Sequence, residues 1–142
     1  MRTVAQILTR KGIAVITVEP STPVIDALRT MAEKNIGSVV VMEGNTFKGI
    51  MTERDYSRKV ILKGRSSDET TVSDIMSSAF PTITPKDTIE HCMKLLSAHH
   101  LRYLPVMQND ELAGIISIND VVTETILSQY ETISHLQNYI QS

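Results

Sequence analysis

Shifted by 65 positions, the chain lies on itself: Val18–Asp55 falls on Ile83–Asp120 without a gap. Pro20 meets Pro85, Val41 meets Val106, Met42 meets Met107, Gly49 meets Gly114, Ile50 meets Ile115 and Asp55 meets Asp120. Six identities in 38 positions would mean little if scattered. Gapless register with a shared apolar phase (Val24/Ile89, Ala27/Cys92, Met31/Leu96, Val39/Leu104) marks an internal duplication. A fainter echo precedes each copy, Thr3–Leu8 against Thr71–Met76, at an offset of 68. The first copy therefore carries three more residues between this leader and the repeat.

Each copy reads as β-α-β-β-α, which sets the fold class as α/β (α+β) with two repeats. A short strand is expected over Ala14–Val18 and over Pro81–Thr84. The helix that follows shows apolar residues at Val24, Ala27, Leu28, Met31 and Ala32, the spacing of one buried face. Ser21-Thr22-Pro23 supplies a hydroxyl N-cap and a first-turn proline, and Asp87 is the cap expected in the second copy. Two strands come next, Ser38–Met42 and Phe47–Met51, matched by Tyr103–Met107 and Leu112–Ser117, each pair joined by a tight turn. A final helix starts near Glu53 and stops at Gly64, or starts near Asn119 and runs to Tyr139 or Ile140. These boundaries divide the chain into 1–64, a polar linker at 65–70, and 71–142 with its long C-terminal helix. A single unit this small buries little surface, so two copies are expected to share one core.

Fourteen Lys and Arg against sixteen Asp and Glu leave a net charge of −2, which argues against a nucleic-acid binder. No run approaches the ~18 apolar residues of a membrane span, and Met1–Thr9 has no secretory character. The lone Cys92 excludes an internal disulfide and a cysteine-rich metal site, so a reducing cytoplasm is expected. The stripe Val122, Ile126, Tyr130, Ile133, Leu136 and Ile140 outlasts the repeat and suits burial by a second subunit, giving a homodimer.

The chemistry gathers where the second hairpin strand ends. One copy reads Gly49-Ile50-Met51-Thr52-Glu53-Arg54-Asp55, the other Gly114-Ile115-Ile116-Ser117-Ile118-Asn119-Asp120. A hydroxyl leaves the strand, and a carboxylate follows in the first helical turn, where free N–H groups and the helix dipole favour an anion. An ionised Asp only accepts hydrogen bonds, which suits the two hydroxyls of a ribose. Phosphate donor beside ribose acceptor describes a nucleotide. The same spacing is also a helix-capping signal that needs no ligand, and composition and spacing leave the two meanings evenly matched. Residues 53–65 carry a local +3, with Arg54 and Arg58 four apart, whereas Tyr103–Ser142 has no Lys or Arg and a charge of −5. Asn119 and Thr123 stand at the positions of Arg54 and Arg58, so two sites of unequal ligand or affinity are expected.

With these endings, the tandem leaders and the strand Arg102-Tyr103-Leu104-Pro105-Val106, the chain resembles a pair of cystathionine β-synthase (CBS) domains. The stretch Met51–Val60, Gly64-Arg65-Ser66-Ser67 and the tail Ile133–Ile140 resemble stand-alone bacterial and plant-organelle CBS-pair proteins. The resemblance implies a pseudo-twofold module with two clefts and disc-like dimers. It implies adenosyl ligands (AMP, ADP, ATP, S-adenosylmethionine or NAD(H)) that report energy or redox state to a client protein. By position it assigns Thr52 and Asp55 to one cleft, and Ser117 and Asp120 to the other. Gly37, Ser38 and Val39, with Tyr103, Leu104 and Pro105, would flank base or phosphate. Lys11, Gly12 and Ile16 belong to a segment that lines the adenine pocket in relatives. Tyr103 stands where relatives often have His, and can offer a phosphate only a neutral hydrogen bond.

Three rival readings remain, the third of them a nucleic-acid role motivated only by the basic run Arg54–Arg65. Catalysis would need Cys92 with His91, or a metal on His99 and His100, but Cys92 falls on the apolar stripe and the histidines lack a third ligand. Neither a catalytic residue nor a metal ligand is therefore assigned. A ligand-free dimerising scaffold would use both acidic turns as caps alone.

Overall fold

The two leaders pack on the copies they do not precede. In the computed structural model, which describes residues 2–141, one compact unit is Val15–Phe80; the other joins the segment up to Ala14 to the segment from Pro81 onward. Matching backbone bonds reveal the exchange. Val4 N and Ala5 N donate to Asp87 O and Pro85 O, while Val72 N and Ser73 N donate to Thr22 O and Pro20 O. Thr22 and Asp87 are equivalent under the shift of 65, as are Pro20 and Pro85.

In the Val15–Phe80 unit, β1 (Thr17–Val18) runs parallel to β2 (Ser38–Glu43), which pairs antiparallel with β3 (Thr46–Thr52). Helix α2 (Val24–Lys34) lies between β1 and β2 in sequence, and α3 (Glu53–Tyr56) continues into a π-helical turn, Ser57–Ile61. The helix stops as expected at Gly64, whose φ of +67° favours glycine, with Arg65 N on Val60 O. The leader helix α4 is a single turn, Val72–Ile75. Val24, Ala27, Met31, Val39, Val41, Met51, Val72 and Ile75 close the core.

The other unit repeats the plan with α1 (Val4–Lys11), α5 (Ile89–Ala98), the hairpin of β4 (Tyr103–Gln108) and β5 (Glu111–Ser117), and α6 (Ile118–Gln141). Both hairpins slip register at the same place, after Val41 and after Val106. Their turns differ: Asn109 and Asp110 both take positive φ, the twist-matched two-residue turn, whereas the first turn uses Gly44.

Several local expectations need correction. The first strand shrinks from Ala14–Val18 to Thr17–Val18, the residues in ladder register with β2. Pro81–Thr84 is not a strand but a single bridge, Ile83 to Val106, since Pro105, at the position of the Val40 that bonds the first strand, has no N–H to give. Helix α2 is capped by backbone rather than by a hydroxyl. Pro23 is its N-cap, Val24 N and Ile25 N donate to Thr70 O and Ser67 O, and Thr22 Oγ1 instead accepts from Glu19 N. The linker thus works as a cap. Thr88, not Asp87, caps α5 by accepting from His91 N, while Asp87 accepts from Thr84 N. Ala32 is exposed, so the buried stripe ends at Met31.

Candidate functional site

Each hairpin delivers its second strand to a hydroxyl, and a helix begins at the next residue. In both units the hydroxyl and the carboxylate three residues on satisfy each other. Thr52 N donates to Asp55 Oδ2 at 3.0 Å and Asp55 N to Thr52 Oγ1 at 3.1 Å. Ser117 N donates to Asp120 Oδ2 at 2.8 Å and Asp120 N to Ser117 Oγ at 3.1 Å. The strand before them is tied identically: Glu53 N reaches Gly37 O, and Ile118 N reaches Arg102 O. Both turns are complete capping boxes. Thr71 and Asp74 form another, so the pattern by itself marks a helix start.

What surrounds the carboxylates differs. Ser77 pairs with Ile50 through both backbone bonds, which brings Ser77 Oγ to Asp55 Oδ1 at 3.0 Å. Lys59 Nζ lies 3.1 Å from the same oxygen and donates to Ile75 O at 2.9 Å. Asp55 is 7% exposed and has both oxygens engaged. Asp120 is met from another direction. Lys11 Nζ, at the end of α1, donates to Asp120 Oδ2 at 2.7 Å and to Ile115 O at 3.0 Å, and the Asp120 side chain keeps 16% exposure. Burial pushes the Asp120 carboxyl up, but Lys11 and the Ser117 N–H and hydroxyl outweigh it, holding the group below the ordinary carboxylate value.

One register position carries opposite charge in the two units. Lys59 corresponds to Glu124. Glu124 is fully buried on α6 and binds Arg2 Nη1 at 3.1 Å and Arg10 Nε at 2.6 Å; Arg2 also pairs with Glu131. The first leader, Arg2 before α1 and Arg10 within it, therefore brings the cations that α6 lacks. Ser77 and Glu124 do not stand out in the sequence, because they acquire their partners through the exchanged leaders, whereas Lys59 meets Asp55 four residues away on its own helix and reaches the leader only at Ile75 O.

The other candidate residues divide by unit. Ser38 stands opposite Thr52, and Tyr103 opposite Ser117, on neighbouring strands. Val39 and Leu104 point into their cores, and Pro105 is buried, so these positions can offer a ligand backbone alone. Lys11 and Gly12 belong to the unit of Asp120, whereas Ile16, whose carbonyl accepts from Val40 N, belongs to that of Asp55. Arg54, Arg58, Arg102 and Asn119 are exposed. The π turn, with Leu62 N on Ser57 O, begins between Arg54 and Arg58 and breaks the α-helical spacing expected to align them. Two shallow surface depressions, of about 320 and 330 Å³, lie elsewhere, beside Glu19–Ser21 and along Ser128–Ile133.

Cys92 is buried, and its thiol is pushed up to about 11, by desolvation first and then by the nearby Asp87 charge. Among the described residues no three His, Cys, Asp or Glu gather to hold a metal ion. Nor is any described helix long and apolar enough to cross a membrane.

Comparison with known proteins agrees with this architecture. The model of the CBS domain matches residues 4–61 and again 72–126. The mitochondrial CBS domain-containing protein CBSX3 of Arabidopsis thaliana is 38% identical over 123 residues, 83% of this chain but 60% of its own length. A solved protein with CBS domains from Burkholderia ambifaria is 44% identical, with a TM-score of 0.85 over 89% of this chain and 96% of that one. CBSX2, solved in complex with AMP, shares the fold at 23% identity, with a TM-score of 0.71 over 89% of this chain and 98% of its own.

Proposed function

The chain belongs to the CBS-domain family and carries two such domains in tandem, and from that premise we propose a non-catalytic regulatory module that binds an adenosyl nucleotide. AMP is the first choice; ADP, ATP, NAD(H) and S-adenosylmethionine share the recognised chemistry. Occupancy would report energy or redox state to a client protein. The observation that carries this reading is the recurrence, at equivalent turns of both units, of a hydroxyl and a carboxylate at a helix start. Asp120 is the better ribose acceptor, because its side chain is more open than that of Asp55. The same fold holds AMP in CBSX2.

Titration calorimetry and thermal melting with these ligands, on protein stripped of bound small molecules, test the proposal. At least one adenosyl ligand is expected to raise the melting temperature, and Asp120→Ala to remove most of that gain. Absence of any response would favour the second reading, a ligand-free dimerising scaffold. That alternative is supported by the two closed capping boxes. Both readings include a homodimer, because Ile126, Tyr130, Ile133, Leu136 and Ile140 leave an exposed apolar stripe along α6. Light scattering should give twice the chain mass, and Ile133→Glu should halve it. A buried, unpaired thiol fits the reducing cytoplasm expected for the chain.

A further inference from the structure

From Tyr103 onward the chain has no Lys or Arg, yet an ammonium stands on Asp120. It arrives from the other end of the sequence. Lys11 is the last residue of α1, and Gly12, at a φ of +87°, turns the backbone away directly after it. The base of the lysine is fixed: Val4 and Ile7 are fully buried, and Arg2 and Arg10 hold Glu124. Its tip is held by two bonds only, to Asp120 Oδ2 and to Ile115 O. A lysine is a point charge on a flexible stem, and an ion pair this near the surface exchanges partners readily. Asp55 has no such visitor, since Lys59 comes from its own helix and Ser77 Oγ fills the neighbouring place.

Resting on the nucleotide reading of the Asp120 turn, we propose that Lys11 is a latch that makes this site select the phosphate of its ligand. Without ligand, Lys11 neutralises the carboxylate. On binding, the partners exchange: Asp120 accepts from two sugar hydroxyls, and Lys11 swings to the anionic phosphate. Donors and acceptors balance in both states, because ammonium and sugar hydroxyls donate while carboxylate and phosphate accept. A nucleoside lacking phosphate breaks the same ion pair and returns nothing to the ammonium. Lys11 thereby penalises nucleosides and rewards nucleotides, a discrimination that Asp120 alone cannot make.

The test is titration calorimetry of the full chain with AMP and with adenosine, read at the site that Asp120→Ala abolishes. Lys11→Met is expected to weaken AMP about tenfold while adenosine binds as tightly as before or tighter, and Lys11→Arg to keep the preference for AMP. A merely structural role would weaken both ligands together. Equal loss of both, or an unchanged AMP-to-adenosine ratio, overturns the latch and leaves the proposed function standing. A wild-type chain that binds neither AMP nor adenosine overturns both.

Discussion

The unit holding Asp55 and the unit holding Asp120 share hairpin register, hairpin slip and the capping box at the helix start, yet the charges that tie leader to repeat are reversed. In one, a lysine of the repeat, Lys59, reaches a carbonyl of its leader; in the other, a buried glutamate, Glu124, takes two arginines of its leader. Duplicated backbone thus carries a polarity code. Leader α1, with Arg2 and Arg10, is attracted by Glu124 and would meet like charge at Lys59. Such unpaired like-charge contacts suppress a wrong pairing. The exchange of leaders has an electrostatic reason as well as a backbone one.

That contrast can be broken by substituting the same register position in both units. Glu124→Ala takes the carboxylate from Arg10 and leaves Arg2, whose Nε already lacks a hydrogen bond, to the exposed Glu131, and is expected to cost about 3 kcal/mol in urea unfolding. Lys59→Ala, at a half-exposed contact, should cost under about 1 kcal/mol. Equal losses would refute the polarity code.

The next largest difference lies at the paired glycines. A Cβ on Gly49 would stand 2.5 Å from the Ser77 carbonyl oxygen, which is backbone; on Gly114 it would meet Leu8 Cδ2 at 2.8 Å, a side-chain end that can turn. Gly49→Ala should therefore lose about 2 kcal/mol and Gly114→Ala about 1 kcal/mol or less. In the cores, Cys92→Ala, which copies Ala27, should cost about 1 kcal/mol through the small cavity it leaves. Alkylation of Cys92 at pH 8 should proceed no faster than unfolding, because burial and Asp87 keep the thiol protonated until about pH 11.

The smallest expected effect is that of pH on the Asp120 turn. Burial raises its carboxyl, but the Lys11 ammonium and the Ser117 N–H and hydroxyl together hold it below the ordinary carboxylate value. A group with a depressed folded value contributes stability that is present above the unfolded value and lost as pH falls through the folded one. Wild type should lose up to about 1 kcal/mol below pH ~4, and Asp120→Asn should flatten that part of the profile. An unaltered profile would mean that Lys11 does not hold the carboxylate in solution.

Much of this arrangement was legible in the sequence. The gapless shift of 65 aligns the two hairpins and the core pairs Val24/Ile89, Met31/Leu96 and Val39/Leu104. The Thr52–Asp55 and Ser117–Asp120 turns form where the spacing put them. Local capping was misread, because Thr22 is drawn to Glu19 and Thr88 stands nearer the true start of α5 than Asp87. The larger gap concerns partners. Lys11, Ser77 and Glu124 find theirs through tertiary packing, and no periodicity in one chain records which leader docks on which repeat. The leader before the first repeat also carries positive charge across to the acidic C-terminal segment, a transfer that local charge counts do not register.

Because Val15–Phe80 is spliced into the other unit, that unit is interrupted in sequence. During synthesis α1 leaves the ribosome well before its docking surface on α5, β5 and α6 is translated. The intervening unit has all its parts by Phe80 and can fold while the leader waits. Arg2, Arg10 and Lys11 are then made more than a hundred residues before Glu124 and Asp120, the partners that fix them (122, 114 and 109 positions apart).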